Sequence, residues 1–245
     1  MERLVAFKTL VGSANYNLTT AESDKDYKVF ILPTFADLYY SKTYTASIIG
    51  DTIDQDYHDI RKLVSLFWKS NVNFVEVLFS SDVTINKTIW IKESIEQIFA
   101  MKNEIAAMNI PYLYKACKGM YYSKIKYIET GNESTNYLVE QFGYDLKSAM
   151  HAYRILDFIE RFAEREFTNF QTAIKYDDKG REFMLSIKNG QFTKAEYIKL
   201  VEKKMSTFDK LENLYLQQPV REESKEKLEH IVFRLVSENV LNELR

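Results

Sequence analysis

Leu10 to Pro33, LVGSANYNLTTAESDKDYKVFILP, is the stretch whose reading decides the fold of this chain. An apolar run, Phe7 to Val11, ends at the pair Gly12-Ser13. Eleven residues after that serine stands Asp24, Asp26 lies two further on, and the apolar run Val29 to Leu32 follows. Asp26 to Leu32 reads as a buried strand, because Tyr27, Val29, Phe30 and Ile31 favour extended backbone and Pro33 stops it. Residues i and i+2 of a strand point to one face, so both carboxylates are expected side by side. Like charges that close raise each other's pKa unless a cation joins them. Magnesium, held by a few carboxylates and substrate phosphates, is the usual solution.

Outward from this stretch, Phe7 to Val11 is too short for periodicity to separate helix from strand. Residues 14–23 are polar and read as a loop. Leu38 to Ile49 is mixed in character. Thr52 to His58 alternates, with Thr52, Asp54, Asp56 and His58 on one face and Ile53, Gln55 and Tyr57 on the other. A strand here supplies a third carboxylate beside the first pair; a solvated edge, or a helix start capped by Asp59, also fits. Ile60, Leu63, Val64, Phe67 and Trp68 form a helical stripe. Glu76 falls within the apolar piece Phe74 to Phe79, where a buried carboxylate must find a partner, so a structural role is expected for it.

Ile89 to Met108 reads as helical, and so does the segment from Pro111 to Glu129. The latter mixes Lys115, Lys118, Lys124 and Lys126 with Tyr112, Tyr114, Tyr121, Tyr122 and Tyr127. Such a helix can follow a nucleic-acid backbone, or it can bury a tyrosine face and solvate a lysine face. Gly131 to Asn136 is the candidate linker, which divides the chain into domains at 1–130 and 131–245. Beyond it, Lys147, His151 and Arg154 share one helix face at i, i+4 and i+7, a stripe suited to a triphosphate or to a salt-bridged surface. Phe170 to Lys175 and Glu182 to Ile187 are expected as short strands around the turn Asp177-Asp178-Lys179-Gly180. Thr193 and Glu196 form a capping box for a helix running toward Tyr215. Pro219 interrupts, and Ser224 to Arg245 is amphipathic.

Hydrophobic content of 46% and charged content of 28% argue for a folded chain rather than a disordered one. A net charge of -2 excludes a global basic field, although a local basic groove is still allowed. With one cysteine, Cys117, no intrachain disulfide can form; a small buried hydrophobe is the expected role. No apolar run approaches the roughly 20 residues that span a bilayer, and the N-terminus lacks the layout of a signal peptide. A cytoplasmic location without membrane contact is the expectation.

The opening stretch resembles the nucleotidyltransferases of the DNA polymerase β superfamily, and more narrowly the RNA-ligase-associated (RlaP-type) family. The residues that carry the likeness are Gly12-Ser13, Tyr16, Leu18, Thr20, Ser23-Asp24, Asp26 and Val29. Asn17 and Lys28 stand where glycines are usual, both beside the acid pair rather than in it. Asp54 with His58-Asp59-Ile60-Arg61-Lys62, then Asn71, Asn73 and Glu76-Val77-Leu78, resemble later blocks. Tyr144-Asp145-Leu146-Lys147, His151 and Arg154-Ile155-Leu156 resemble a helical block. The resemblance implies an α+β fold: a mixed β-sheet flanked by helices, followed by a helical C-terminal region closing the nucleotide cleft. It implies metal-dependent transfer of a nucleoside monophosphate from an NTP to a hydroxyl acceptor (an RNA end, a protein or a small molecule), with release of pyrophosphate. Mg²⁺ or Mn²⁺ would be held by Asp24, Asp26 and a third acid, Asp54 by block position with Asp56 as competitor on the same face. Gly12, Ser13 and Ser23 would contact the nucleotide, with Lys147, His151 and Arg154 neutralising its triphosphate. The alternative on the same fold is a catalytically silent nucleotide-sensing or partner-binding protein serving a phage or a conflict system.

Overall fold

The computed structural model describes residues 3–245. In chain order the elements are β1 (Val5–Val11), β2 (Lys25–Ile31), α1 (Phe35–Tyr39), β3 (Thr45–Ile49), β4 (Ile53–Asp59), α2 (Leu63–Trp68), α3 (Val72–Val75), β5 (Val83–Ile85), α4 (Ile89–Ala100) and α5 (Lys102–Ala106). Then come α6 (Ile110–Ile128), α7 (Asn136–Phe142), α8 (Leu146–Ala163), α9 (Phe170–Ile174), α10 (Asp178–Lys188), α11 (Lys194–Leu216) and α12 (Glu222–Glu243). Contacts divide the chain into a sheet unit, which comprises the residues up to Asn109 together with Val220–Arg245, and a helical unit, Ile110–Pro219. The division therefore does not fall in the Gly131 to Asn136 linker. That segment is a loop inside the helical unit, held by Thr135, whose hydroxyl donates to Asp145 at 2.8 Å. The helical unit leaves and returns to the sheet unit at one place, an antiparallel bridge between Asn109 and Val220 beside the bond from Arg221 N–H to the Met108 carbonyl, 2.8 Å.

The five strands run in the order β3-β4-β2-β1-β5. β2 and β4 pair in parallel and every other pair is antiparallel. The expected strands around Asp26 and Asp54 are thus present and adjacent. Phe7 and Phe30 stack at 4.6 Å on the apolar part of one face, with Phe99 of α4 edge-on to Phe7. On the opposite face Lys8 lies over the Tyr27 ring and donates to Gln55. The 52–59 segment satisfies both of its readings, since Asp59 ends β4 and also caps the turn that follows, accepting from Arg61 N–H at 3.0 Å. α12 packs on α2, α4 and α5 through Leu228, Ile231, Val232 and Leu235.

In the helical unit α8 lies at the centre, packed against α6, α9, α10 and α11. The tyrosine richness of the sequence is spent here. Burying a tyrosine leaves its hydroxyl in need of an acceptor; backbone carbonyls serve Tyr114, which donates to Phe208, Tyr144 to Phe192, Tyr197 to Ala149 and Tyr215 to Ile159, while Tyr176 donates to the Asp157 carboxylate. Cys117 is buried, and burial pushes its thiol pKa up, as suits a packing residue. The capping box of Thr193 and Glu196 forms as expected. The strands expected around Asp177 do not. Phe170–Ile174 and Asp178–Lys188 are helices, and Asp177 is an N-cap accepting from Gly180 N–H at 2.8 Å.

Candidate active site

The sheet register sets the site. Val11, Asp26 and Asp54 occupy one row across β1, β2 and β4. Gly12 leaves this row with φ +70°, in the left-handed region where a side chain is strained. A Cβ on Gly12 would lie 2.7 Å from Asp26 Oδ2, so only glycine lets the turn approach the acid this closely. Gly12–Ala14 form a single 3₁₀ turn, and Leu18 N–H closes the loop on the Ser13 carbonyl at 2.8 Å.

Glu76 is the anchor beneath this turn. Its buried carboxylate accepts from Gly12 N–H at 3.1 Å and from Asn15 Nδ2 at 2.9 Å. Hydrogen bonds to a charged group are worth roughly 1.5–3 kcal/mol each, which gives the buried Glu76 the partners its burial demands. One expectation changes as a result. The Gly12 N–H is engaged inward, so the Ser13 hydroxyl, which has no hydrogen-bond partner among the described residues, is what the turn can offer a phosphate. Ser23 is also engaged, accepting from Thr20 N–H at 2.9 Å within its own turn. Asn17 holds φ +60°, the left-handed conformation that a glycine would take at the same place.

Asp24 is exposed, just before β2. Asp54 is the register partner of Asp26, whereas Asp56 is the partner of Lys28. The side chains follow the register. Asp56 accepts from the Ser47 hydroxyl at 2.6 Å and lies 3.7 Å from the Lys28 ammonium, which rests over the Phe74 ring. Among the described residues Asp54 accepts the Gly50 N–H alone, at 3.2 Å. Lys28 thus faces Asp56, and Asp54 lies beside Asp26 in the register. His58 follows on the same face between Phe30 and Phe74; burial, then the Lys28 charge, lower its pKa to about 4.

Donors made only of carboxylate oxygens suit a hard divalent cation. Among the described residues no group of three His, Cys, Asp or Glu side chains is gathered closely enough to hold a metal ion by itself. Magnesium sites of this chemistry take one or two carboxylates and complete the shell with water and phosphate oxygens; Asp24 just before β2, Asp26 on β2 and Asp54 on β4 are the carboxylates that would hold such an ion.

In the helical unit, Lys147, His151 and Arg154 all lie on α8. Lys147 is exposed, His151 half-buried and Arg154 buried. Burial, together with Arg154, Lys124, Lys147 and Lys188, holds His151 well below its ordinary pKa, so its imidazole is neutral at neutral pH and adds no charge to the stripe. Asp145 caps the helix through Lys147 N–H and Ser148 N–H. Sequence reasoning did not join Lys124 and Lys188 to this stripe, nor Glu76 to the Gly12 turn; nothing in local spacing links them.

The family model described as RNA repair pathway DNA polymerase beta family (RlaP) matches residues 2–232. The chain belongs to this family. RlaP proteins are DNA polymerase β-like nucleotidyltransferases of an RNA repair pathway, a superfamily that generally uses divalent metal ions. A comparison with curated proteins finds no match. No helix among the described residues is long and apolar enough to cross a membrane.

Proposed function

We propose that this RlaP protein transfers a nucleoside monophosphate from an NTP to a hydroxyl of RNA. The acceptor oxygen attacks the α-phosphorus and loses its proton, the bond from that phosphorus to the α,β-bridging oxygen breaks, and pyrophosphate leaves. The observation that carries the reading is the row Val11–Asp26–Asp54, with the Gly12 turn lying on Asp26. Asp24, Asp26 and Asp54 would hold Mg²⁺ or Mn²⁺, which supplies charge neutralisation and orientation for in-line displacement. Asp54 rather than Asp56 is the third acid, because Asp56 is already paired with Lys28. Ser13 would orient a phosphate oxygen from the turn.

RNA is favoured as acceptor by the outer face of α6. Tyr112, Tyr122 and Tyr127 are 40%, 50% and 43% exposed there, interleaved with exposed Lys115 and Lys126. Exposed rings stack bases and lysines follow phosphates. A catalytically silent nucleotide sensor is the second reading. It is favoured by Lys28, a cation two residues from Asp26 on the face of the acids.

Transfer of label from each α-labelled NTP to RNA, protein or small-molecule acceptors, with Mg²⁺ or Mn²⁺, separates the two. Transfer lost in Asp24→Ala and in Asp26→Ala supports the enzyme. Nucleotide binding without transfer across the acceptor panel supports the sensor.

A further inference from the structure

We infer that Lys124 of α6 and Lys188 of α10 join Lys147 and Arg154 of α8 in a phosphate-binding site within the helical unit, built for the phosphate groups of a nucleotide or of an RNA end. Two fixed points bring the three helices together there. The Asp145 N–H donates to the Ile128 carbonyl at 2.8 Å, so α8 starts where α6 stops, and the two helices pack along their lengths. Lys124, one turn before Ile128, therefore lies beside the first turns of α8. The second point is Gly190, just past α10, with φ +71°. A Cβ there would lie 2.7 Å from the Phe142 ring and 3.2 Å from Leu146 Cδ1, so the end of α10 that carries Lys188 sits against the start of α8.

Among the described residues no ion pair balances the three lysines at this meeting point. Lys124 is lowered from its ordinary pKa by burial and then by Arg154 and Lys147. The opposing charge that acts on it is Asp145. That carboxylate is fully buried and already occupied, accepting from Lys147 N–H, Ser148 N–H and the Ser148 and Thr135 hydroxyls. Among the described residues no carboxylate forms an ion pair with Lys124, Lys147 or Lys188. Cations gathered from three helices repel one another, and Lys124 is partly desolvated as well; an anion with several oxygens relieves both costs. The lysines act as point charges toward those oxygens, and the Arg154 guanidinium adds its positive field beside them. Neutral His151, within reach of the same charges, can donate one ring N–H without adding to the repulsion.

The test measures binding without divalent metal, so it does not depend on turnover. Tripolyphosphate is titrated into the full chain by calorimetry, in the wild type and in an Asp24→Ala, Asp26→Ala background. The expected result is saturable, salt-sensitive binding in both, weakened roughly 10-fold or more by Lys124→Ala and by Lys188→Ala and largely restored by Lys124→Arg. Without ligand, Lys124→Ala should unfold at the same temperature as wild type or higher, because it removes a repelled, half-buried cation. Competition then names the source. Displacement by NTPs points to a triphosphate, and displacement by 5′-phosphorylated but not 5′-hydroxyl RNA points to an RNA end. No binding of tripolyphosphate, or equal binding by wild type and both alanine variants, would overturn the site. If the site binds but no NTP is ever transferred, the phosphate site stands while the proposed transferase reading fails.

Discussion

Gly12→Ala tests the acid row most directly. Two costs can be worked from the structure. The φ of +70° places an alanine in the left-handed region, at roughly 1–2 kcal/mol. The new Cβ would stand 2.7 Å from Asp26 Oδ2, where ordinary contact begins near 3.4 Å, so the carboxylate must move by about 0.7 Å. The backbone cannot easily give way, because Asp26 is paired on both sides, to Val11 and to Asp54. The displacement therefore falls on the Asp26 side chain and on the Gly12–Glu76 hydrogen bond. Together the expected destabilisation is about 1–3 kcal/mol, read from the urea midpoint. A misplacement approaching 1 Å at a reacting centre costs on the order of 100-fold, so NMP transfer should fall by tens-fold or more at saturating NTP. Asn17→Gly is the matched control. It enters a position already at φ +60° and should leave stability within about 0.5 kcal/mol and transfer unchanged. Wild-type stability and rate in Gly12→Ala would refute the close approach and the role given to the turn.

Three further outcomes follow from the same geometry. Glu76→Ala strips the Gly12 N–H and the Asn15 amide of their acceptor and should cost about 2–4 kcal/mol by chemical denaturation; a change under about 0.5 kcal/mol contradicts the anchor. For His58, the folded-state value of about 4 lies below the unfolded 6.5, so the unfolded chain takes up a proton first as pH falls. Stability should drop between about pH 6.5 and 4, then level off for this group, by about 1–3 kcal/mol after allowance for solvent screening. His58→Phe should flatten that part of the curve, and Lys28→Met should raise the His58 value in an NMR titration; a His58 that titrates near 6.5 contradicts its placement. Tyr122→Ala with Lys126→Ala should weaken single-stranded RNA binding roughly 10-fold and reduce its salt dependence, measured by anisotropy; undiminished affinity rules out the α6 face.

The sheet and its acids were legible because alternation is a local signal. Asp26 on one strand, with Asp24 just before it, and Asp54 and Asp56 on another follow that alternation, and the parallel pairing of the two strands sets Asp54 beside Asp26. Asn17 was legible as well, since asparagine tolerates the conformation it adopts. The misreading at 170–187 has a definite cause. Asp177 accepting from Gly180 N–H is the same short-range chemistry in a turn and in a helix cap, while Phe183, Met184 and Ile187 already carried helical spacing. The unit boundary was hidden for the opposite reason. α5 gives way to α6 within a few residues, and the glycine-containing loop that looked like a linker lies well inside the helical unit. Long-range partners left no local trace at all. Asn239 donates to the Pro33 carbonyl, and Glu243 receives the Phe35 N–H, across more than 200 residues.

The bridge between Asn109 and Val220 has a consequence for how the protein is made. The sheet unit is written in two pieces, and its second piece, α12, leaves the ribosome only after the whole of 110–219 has been synthesised. The inserted helices form an uninterrupted segment and can fold during translation, whereas the hydrophobic faces of α2, α4 and α5 wait for a helix encoded more than 100 residues later. A message cut short before α12 would thus yield acids and turn on an unfinished core. Because the two crossing points lie side by side, a short turn joining Asn109 to Val220 would make the sheet unit continuous in sequence, and it is there that the gene could be split, permuted or shortened with least disturbance to the fold.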